Sequence, residues 1–346
     1  MGLTSREPLV PGGVLAIDAG NSKTDVALVA ADGRVLGAAR GGGFQPPVVG
    51  VEAAVSALAQ IVRRAVADAG LPADAGLPAG AGPAGGGALL VAHTSACLAN
   101  ADLPVEEAQL EAAVHAQGWA RGTKVANDTF AILRAGVDEP RGVAVVCGAG
   151  INCVGMLPDG RTARFPAIGR ISGDWGGGSG LAEEALWHAA RAEDGRGEAT
   201  ALAATLPAHF GLTSMYALIE ALHLERIPAE RKYELTPVLF ATSDAGDPVA
   251  RSILDRQADE IVALATVALG RLGLLDEEAD VVLGGGVMAA RNPYLMDTLA
   301  DRLTARAPKA RTHVVTAPPV LGAGLLGLDQ VAAPPTAHAA LRAHYA

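Results

Sequence analysis

Five short stretches of this chain combine glycine with polar residues in ways that phosphate and sugar chemistry needs. The first is Asp18-Ala-Gly20-Asn21-Ser22-Lys23-Thr24, set between two strand-like runs. A tight turn containing Gly20 lets backbone amides approach phosphate oxygens, and Asn21, Ser22, Lys23 and Thr24 can add donors. Asp18, at a strand end, can hold Mg²⁺, typically through water. The spacing is not that of a Walker A loop, and a strand rather than a helix follows. The second stretch, Cys147-Gly148-Ala149-Gly150-Ile-Asn152, occupies the equivalent place in a second strand–turn–strand unit. Two such turns acting on one nucleotide could hold its β- and γ-phosphates from both sides. Taken singly, each is also compatible with an ordinary hairpin turn.

The third stretch, Leu283-Gly284-Gly285-Gly286-Val287, ends an apolar strand and precedes a helix. Glycines there let a flat base or ribose lie against the backbone, or let a helix pack closely on a sheet. In the fourth, Thr123-Lys-Val-Ala-Asn127-Asp128-Thr129, a carboxylate follows a short strand and precedes a helical run. Asp128 is placed either to deprotonate an acceptor hydroxyl or to cap the helix. The fifth, Ile171-Ser172-Gly173-Asp174-Trp175-Gly176-Gly177-Gly178-Ser179-Gly180, leads into a helix from Leu181 to Arg191. Asp174 offers a hydroxyl acceptor and Trp175 a flat apolar face, a pair that sugar sites use. Ser179 is a candidate cap, and a flexible hinge is the competing account.

Positioning these residues requires alternating strands and helices. From Val14, VLAIDAG, TDVALVAADGRVLGAAR and the Asp32-Gly33 turn predict a three-stranded meander. GVAVVCGAGINCVGMLPDGRTARF predicts a second meander, so the chain reads as internally duplicated. Helices are expected over 51–69 (stopping at Gly70), 104–117 (stopping at Gly118), 248–271 (opened by Asp247-Pro248) and 292–306 (opened by Asn292-Pro293). Short strands are expected at LLVAHTS, TKVAND, DVVLGGG and THVVTA. The Ala/Gly/Pro-rich stretch 70–87 reads as a surface loop within the first domain.

The 346 residues, half of them hydrophobic, suffice for two core-bearing domains. With 37 acidic against 27 basic residues, a net charge of −10, the chain lacks the positive balance that favours nucleic acid or anionic membranes. A small-molecule substrate fits better. Only four lysines occur, and Lys23 lies inside the first glycine turn. Cys97, Cys147 and Cys153 have neither disulfide-framework nor zinc spacing. The absence of an apolar leader or membrane span points to a soluble, cytoplasmic protein.

In order along the chain, DAGNSKT at Asp18, LANADLP at Leu98, NDTFAILRAG at Asn127, GAGINC at Gly148, LGGGV at Leu283 and PPVLGAGLLGL at Pro318 resemble the motifs of the BadF/BadG/BcrA/BcrD ATPase family. That group contains N-acetylglucosamine kinases and glucosamine kinases, and the likeness spans about Val14 to Gln330. The resemblance implies an α/β fold of two actin/hexokinase-like (ribonuclease H-like) domains. Each would be a mixed five-stranded sheet flanked by helices, with an interdomain cleft that closes over the acceptor. The expected boundaries are 1–135 and 136–330, the closing helix from about 322 being free to pack back on the first domain. It further implies ATP and Mg²⁺ as cofactors, Asp128 as base, Asn127, Asp174 and Trp175 at the substrate, an amino-sugar acceptor phosphorylated on its 6-hydroxyl, and a homodimer. Gly43-Phe44-Gln45-Pro46-Pro47 stands where the N-acetylglucosamine kinases carry an Asn-containing sugar contact, which places Gln45 at the substrate. Gly173-Asp174-Trp175-Gly176-Gly177 stands in place of GDEGS, keeping Asp174 but not the following acid. The family also includes ATPases that activate 2-hydroxyacyl-CoA dehydratases and benzoyl-CoA reductases through an iron–sulfur cluster shared between subunits, which would need cluster-ligating cysteines at the surface.

Overall fold

A computed structural model describes residues 7–72 and 89–346. Most of the Ala/Gly/Pro-rich stretch therefore lies outside the described residues. The chain separates into two compact units, Met1–Pro140 with Thr316–Ala346, and Arg141–Val315.

In the first unit, β1 (Val10–Ala19), β2 (Lys23–Val29) and β3 (Val35–Gly42) form the meander, and β4 (Val91–Leu98) and β5 (Ala120–Asn127) follow. The sheet order is β3-β2-β1-β4-β5, with β2 antiparallel to its neighbours and β1, β4 and β5 mutually parallel. Leu15, Ile17 and Ala19 alternate onto one face, where they pack against the apolar side of helices Val51–Asp68 and Pro104–His115. Val14, Ala16 and Cys97 face the other way, against helices Thr129–Gly136, Pro319–Gln330 and Pro335–His344. Glycine makes that layer thin: a Cβ on Gly322 would lie 1.8 Å from the Ala131 carbonyl oxygen. Helix Pro104–His115 has Leu103 at its N-cap, a residue with no side-chain acceptor for the first amides. Glu106 reaches back instead to the amides of Asp102 and Leu103, at 3.2 and 2.9 Å.

In the second unit, β6 (Gly142–Cys147), β7 (Ile151–Met156) and β8 (Thr162–Arg164) form the second meander, and β9 (Ala279–Gly284) and β10 (Ala310–Val314) complete a sheet of order β10-β9-β6-β7-β8. Read from the meander outward, this is the same order as the first sheet, so the duplication seen in the sequence is one of topology. Helix Pro248–Leu272 contributes a row of apolar residues to this core. Its N-cap Asp247 accepts from the Ala250 amide at 2.8 Å, and it ends at Gly273 in the left-handed region. Asn292 caps Pro293–Arg306 in the same way, at 3.0 Å from the Leu295 amide. Between helix Gly177–Glu193 and helix Pro248–Leu272 lies a set of short helices, Leu202–His209, Met215–His223 and Leu235–Asp244, that the sequence pattern did not announce. Among the described residues no helix is long and apolar enough to cross a membrane.

Candidate active site

Strand register assembles the charged part of the site in the first unit. Ala19 pairs with Leu98 and Leu98 with Asn127, so the carboxyl ends of β1, β4 and β5 lie level. Asp18 stands one residue before that edge and Asp128 one residue after it. Asp18 also pairs directly with Asp25 across β1 and β2, which puts both carboxylates on one face of the sheet. Asp25 is held by Arg40, whose Nε and Nη2 donate at 2.6 and 3.1 Å, and by Lys23 at 3.6 Å. Asp18 is 6% exposed. Burial, then the neighbouring charges of Asp128 and Asp25, push its pKa up to about 7, against the lowering influence of Lys23 and Arg40. Burial likewise lifts Asp128 to about 6, opposed by the amides of Thr129 and of Asp128 itself.

A buried carboxylate facing two others lacks positive charge, and oxygen donors suit a hard divalent cation. Asp18 fits Mg²⁺ in that sense. Among the described residues no group of three His, Cys, Asp or Glu side chains could hold a metal, so an ion here would take its remaining ligands from water and phosphate.

The capping hydrogen bond at the start of this helix comes from the neighbour of Asp128. Asp128 makes no side-chain cap hydrogen bond, whereas Asn127 Oδ1 accepts from the Thr129 amide at 2.9 Å. Asn127 Nδ2 donates to Asp102 Oδ1 at 2.8 Å, and Asn127 is 3% exposed. Its amide is committed inward at both ends, which is the placement of a positioning residue rather than of the substrate contact expected for it.

The turn 20–22 is clamped from three directions. Gly20 donates to the Lys23 carbonyl and accepts from Phe44, both at 2.9 Å. Gln45 Nε2 donates to the Asn21 carbonyl at 2.8 Å. Asn100, in the left-handed region, donates to Asn21 Oδ1 at 2.9 Å. A Cβ on Gly43 would sit 2.0 Å from the Asn21 oxygen, so this clamp needs glycine there. Asn21, Ser22 and Lys23 are exposed at the tip. Thr24 is placed differently from expectation. Strand alternation turns it to the face opposite Asp25, where it is 2% exposed in a small cavity with Phe44, Leu58 and Ile61, so its hydroxyl does not join the carboxylates. Asp25 and Arg40 were missed at the sequence level; strand pairing, which no motif encodes, is what brings them in.

In the second unit the turn 148–150 is seated on a helix. The amides of Gly178 and Ser179 donate to the Gly148 and Ala149 carbonyls at 2.8 and 2.9 Å. Peptide planarity then directs the amides of Ala149 and Gly150 away from the helix, and both residues are exposed. Two glycines make this possible. Gly177 has φ 70° and its Cβ would lie 2.3 Å from the Gly150 oxygen; Gly285 has φ 86° and its Cβ would lie 2.3 Å from the Cys147 oxygen. Asn152 Oδ1 accepts from the Cys153 amide at 2.7 Å. Gly284 ends β9, and Gly286 shares a cavity of about 310 Å³ with Gly148 and Ala149. The second and third glycine motifs thus meet on one surface. Much of the remaining wall comes from Tyr233, Thr236, Pro237 and Phe240, a region that sequence reasoning left silent.

A neighbouring cavity of about 200 Å³, on the Gly150 and Ile151 side of the turn, contains Asp174, Arg170, Glu183 and Glu184. Asp174 Oδ2 accepts from the Gly169 amide at 2.9 Å and from Ser172 Oγ at 2.6 Å, which orients it. Trp175 does not present the flat open face expected of it. The residue is 8% exposed, Arg256 covers its ring at 4.1 Å, and its Nε1 donates to Glu184 at 3.1 Å. Ser179 is not the cap, because the helix already begins at Gly177. Nor is the glycine run a free hinge: Gln257, fully buried, accepts from the Gly177 amide at 2.9 Å and would collide with a side chain at Gly176. All three cysteines are buried, and burial raises each thiol, Cys147 to about 12. Among the described residues there is no surface set that could ligate an iron–sulfur cluster.

Among known proteins, the chain is 28% identical over 205 residues to an N-acetyl-D-glucosamine kinase of Dictyostelium discoideum, over 59% of this chain and 64% of that protein, just under two thirds of its length. It is 28% identical over 213 residues to an N-acetylmuramic acid/N-acetylglucosamine kinase of Clostridium acetobutylicum, over 62% of this chain and 69% of that one. In fold it is similar to a Chromobacterium violaceum protein assigned as an N-acetylglucosamine kinase, with a TM-score of 0.66 at 23% identity over 91% of this chain and 98% of that chain. It is also similar to a ROK family glucokinase of Streptomyces griseus solved with glucose and AMPPNP, with a TM-score of 0.51 at 17% identity over 92% and 98%. These likenesses bear out the two-sheet actin/hexokinase-like fold that the motif order implied. The BadF/BadG/BcrA/BcrD ATPase family matches residues 15–327, nearly the whole sequence, and the chain belongs to that family.

Proposed function

We propose that this chain is an ATP-dependent sugar kinase that transfers the γ-phosphoryl group to the 6-hydroxyl of an amino sugar such as N-acetylglucosamine or glucosamine. The observation that carries the reading is Asp128: Asn127 takes the capping hydrogen bond beside it, it follows directly on the sheet edge that Asp18 precedes by one residue, and burial raises its pKa to about 6. The two kinase relatives support the substrate class.

In this reading Asp128 accepts the proton of the attacking hydroxyl as its oxygen bonds to the γ-phosphorus. The bond from that phosphorus to the β,γ-bridging oxygen breaks, and ADP leaves with the bridging oxygen. Asp18 would hold Mg²⁺, which when bound neutralises phosphate charge. Lys23, the tip of turn 20–22 and the outward amides of Ala149 and Gly150 bind phosphate oxygens, and Gly284 to Gly286 back the adenosine. Asp174, with its Oδ2 held in its own loop, serves the sugar, and Gln45 positions the first turn. The protein acts in the cytoplasm as a homodimer.

A panel of amino sugars, neutral hexoses and aminocyclitols, assayed for sugar-dependent ADP release, tests the proposal. Release that requires an amino sugar, with a 6-phosphate product, is the expected result. Release that no sugar stimulates overturns it.

A further inference from the structure

The cavity of about 310 Å³ in the second unit says something about the donor that the motifs do not, and it rests on the reading that this cavity takes the nucleotide base. Its size is at the lower end for small-molecule sites, about 300–1,000 Å³. Its walls are apolar: Pro237, Phe240 and Val287 supply side chains, with Phe240 and Val287 only 7% and 4% exposed. Two lining side chains carry polar atoms. One, Thr236, is 6% exposed and donates its hydroxyl to the Gly178 carbonyl at 2.9 Å, so it is occupied in joining two helices. The other is Tyr233, 51% exposed at the cavity's edge.

The backbone under Tyr233 is fixed although its ring is open. It lies in the short 3₁₀ turn Ala229–Glu234, whose last residue is gripped by Arg231 at 2.7 and 2.9 Å and by His209 at 2.9 Å. These contacts hold the carboxyl of Glu234 down at about 2. A large aromatic half in water on a braced turn, beside an apolar slot, has the character of a face waiting for a flat ring.

We propose that Tyr233 is the stacking face for the base of the nucleoside triphosphate, and that the slot selects a purine by shape without reading its edge. A hydrophobic pocket discriminates weakly between rings of similar shape, whereas a site built on hydrogen bonds rejects the wrong edge by about 10⁴–10⁵. Donor use is therefore broad: ATP, GTP and ITP should have dissociation constants within about 10²-fold of one another.

Displacement of a fluorescent ATP analogue from the full chain, without sugar, tests this directly, using ATP, GTP, ITP and inorganic tripolyphosphate as competitors. Tyr233→Ala should weaken all three purine nucleotides alike, by about 5- to 150-fold, the range of one aromatic–base stack. Tripolyphosphate, having no base, should compete equally well against both proteins. Tyr233→Phe and Tyr233→Trp should retain binding near wild type, since each keeps a ring. Purine binding unchanged in Tyr233→Ala overturns the stacking role, as does a matching loss for tripolyphosphate. GTP more than about 10³-fold weaker than ATP overturns the absence of edge readout. If no sugar is phosphorylated while these binding results hold, the acceptor reading fails and this inference stands.

Discussion

The two units share one sheet order and one hairpin design, yet they carry opposite chemistry. In each, the first two strands turn on three residues, 20–22 and 148–150, and each turn is backed by glycine whose side chain would strike its carbonyl. In the first unit the paired residues just behind the turn are Asp18 and Asp25; in the second they are Val146 and Asn152. One half therefore concentrates negative charge and the cations that hold it. The other offers neutral amides and an apolar slot. In the role proposed for the second turn, a buried carboxylate pair would repel phosphate, whereas outward amides attract it without the desolvation cost of a full charge.

The charged half should be the more sensitive to a single atom. Asp128→Asn retains the shape and removes the base, so kcat should fall by about 10²–10⁴ while nucleotide affinity stays within a few-fold. In the role proposed for it, Asp128 works only when ionised. With its pKa at about 6, kcat/KM should rise with pH through that value and level off above it. Steady-state rates from pH 5 to 8.5 check both points. Wild-type turnover in the variant, or a rate already flat from pH 5 upward, removes Asp128 from the mechanism.

The neutral half should fail through shape instead. Gly285→Ala forces a left-handed residue against the Cys147 carbonyl, and Gly177→Ala does the same against Gly150. Each should cost about 2–4 kcal/mol of stability and raise KM for nucleotide more than it lowers kcat. Gly43→Ala is the counterpart in the first unit, pressing on Asn21. Thermal melts and initial rates on the three variants would show whether both turns answer to backbone placement. A melt and KM indistinguishable from wild type in Gly285→Ala would mean that the turn shifts without consequence.

Local signals made much of this visible before the structure. The Asp32-Gly33 turn, the Asp247-Pro248 and Asn292-Pro293 starts and the glycine stops place their elements within a residue or two, because each is governed by dihedral preference and a nearby hydrogen bond. The candidate site motifs were legible as types and spacings, but the division of labour inside them was not. Asn127 and Asp128 are both good capping residues, and only the geometry shows that the first caps and so frees the second. Thr24 and Asp25 are adjacent letters on opposite faces. Asp25 finds Arg40 through register, 15 residues away. Tyr233 and Phe240 reach the slot from the short-helix insertion, whose apolar pattern resembles any packed helix and carries no motif.

Asp18 gives the last and smallest test of the contrast, because its charge is a liability until a cation arrives. Its folded pKa of about 7 lies above the unfolded value of 3.8, so the folded state favours the protonated acid. The stability this contributes is fully present below pH 3.8 and is lost as pH rises through about 7. Asn cannot ionise. Asp18→Asn should therefore match wild type near pH 4 and exceed it at pH 8, without metal or nucleotide, by about 1–4 kcal/mol. Added Mg²⁺ and ATP should close that gap by stabilising the wild type alone. Arg40→Gln sharpens the result in the other direction: it removes a charge that lowers the folded pKa of Asp18, so the loss that begins near pH 3.8 should continue to a higher pH before it levels off. Denaturant melts at pH 4, 6 and 8 on the three proteins measure both effects. A gap of the same size at every pH would show that Asp18 ionises as freely as a surface carboxylate, and that the first unit stores no unbalanced charge.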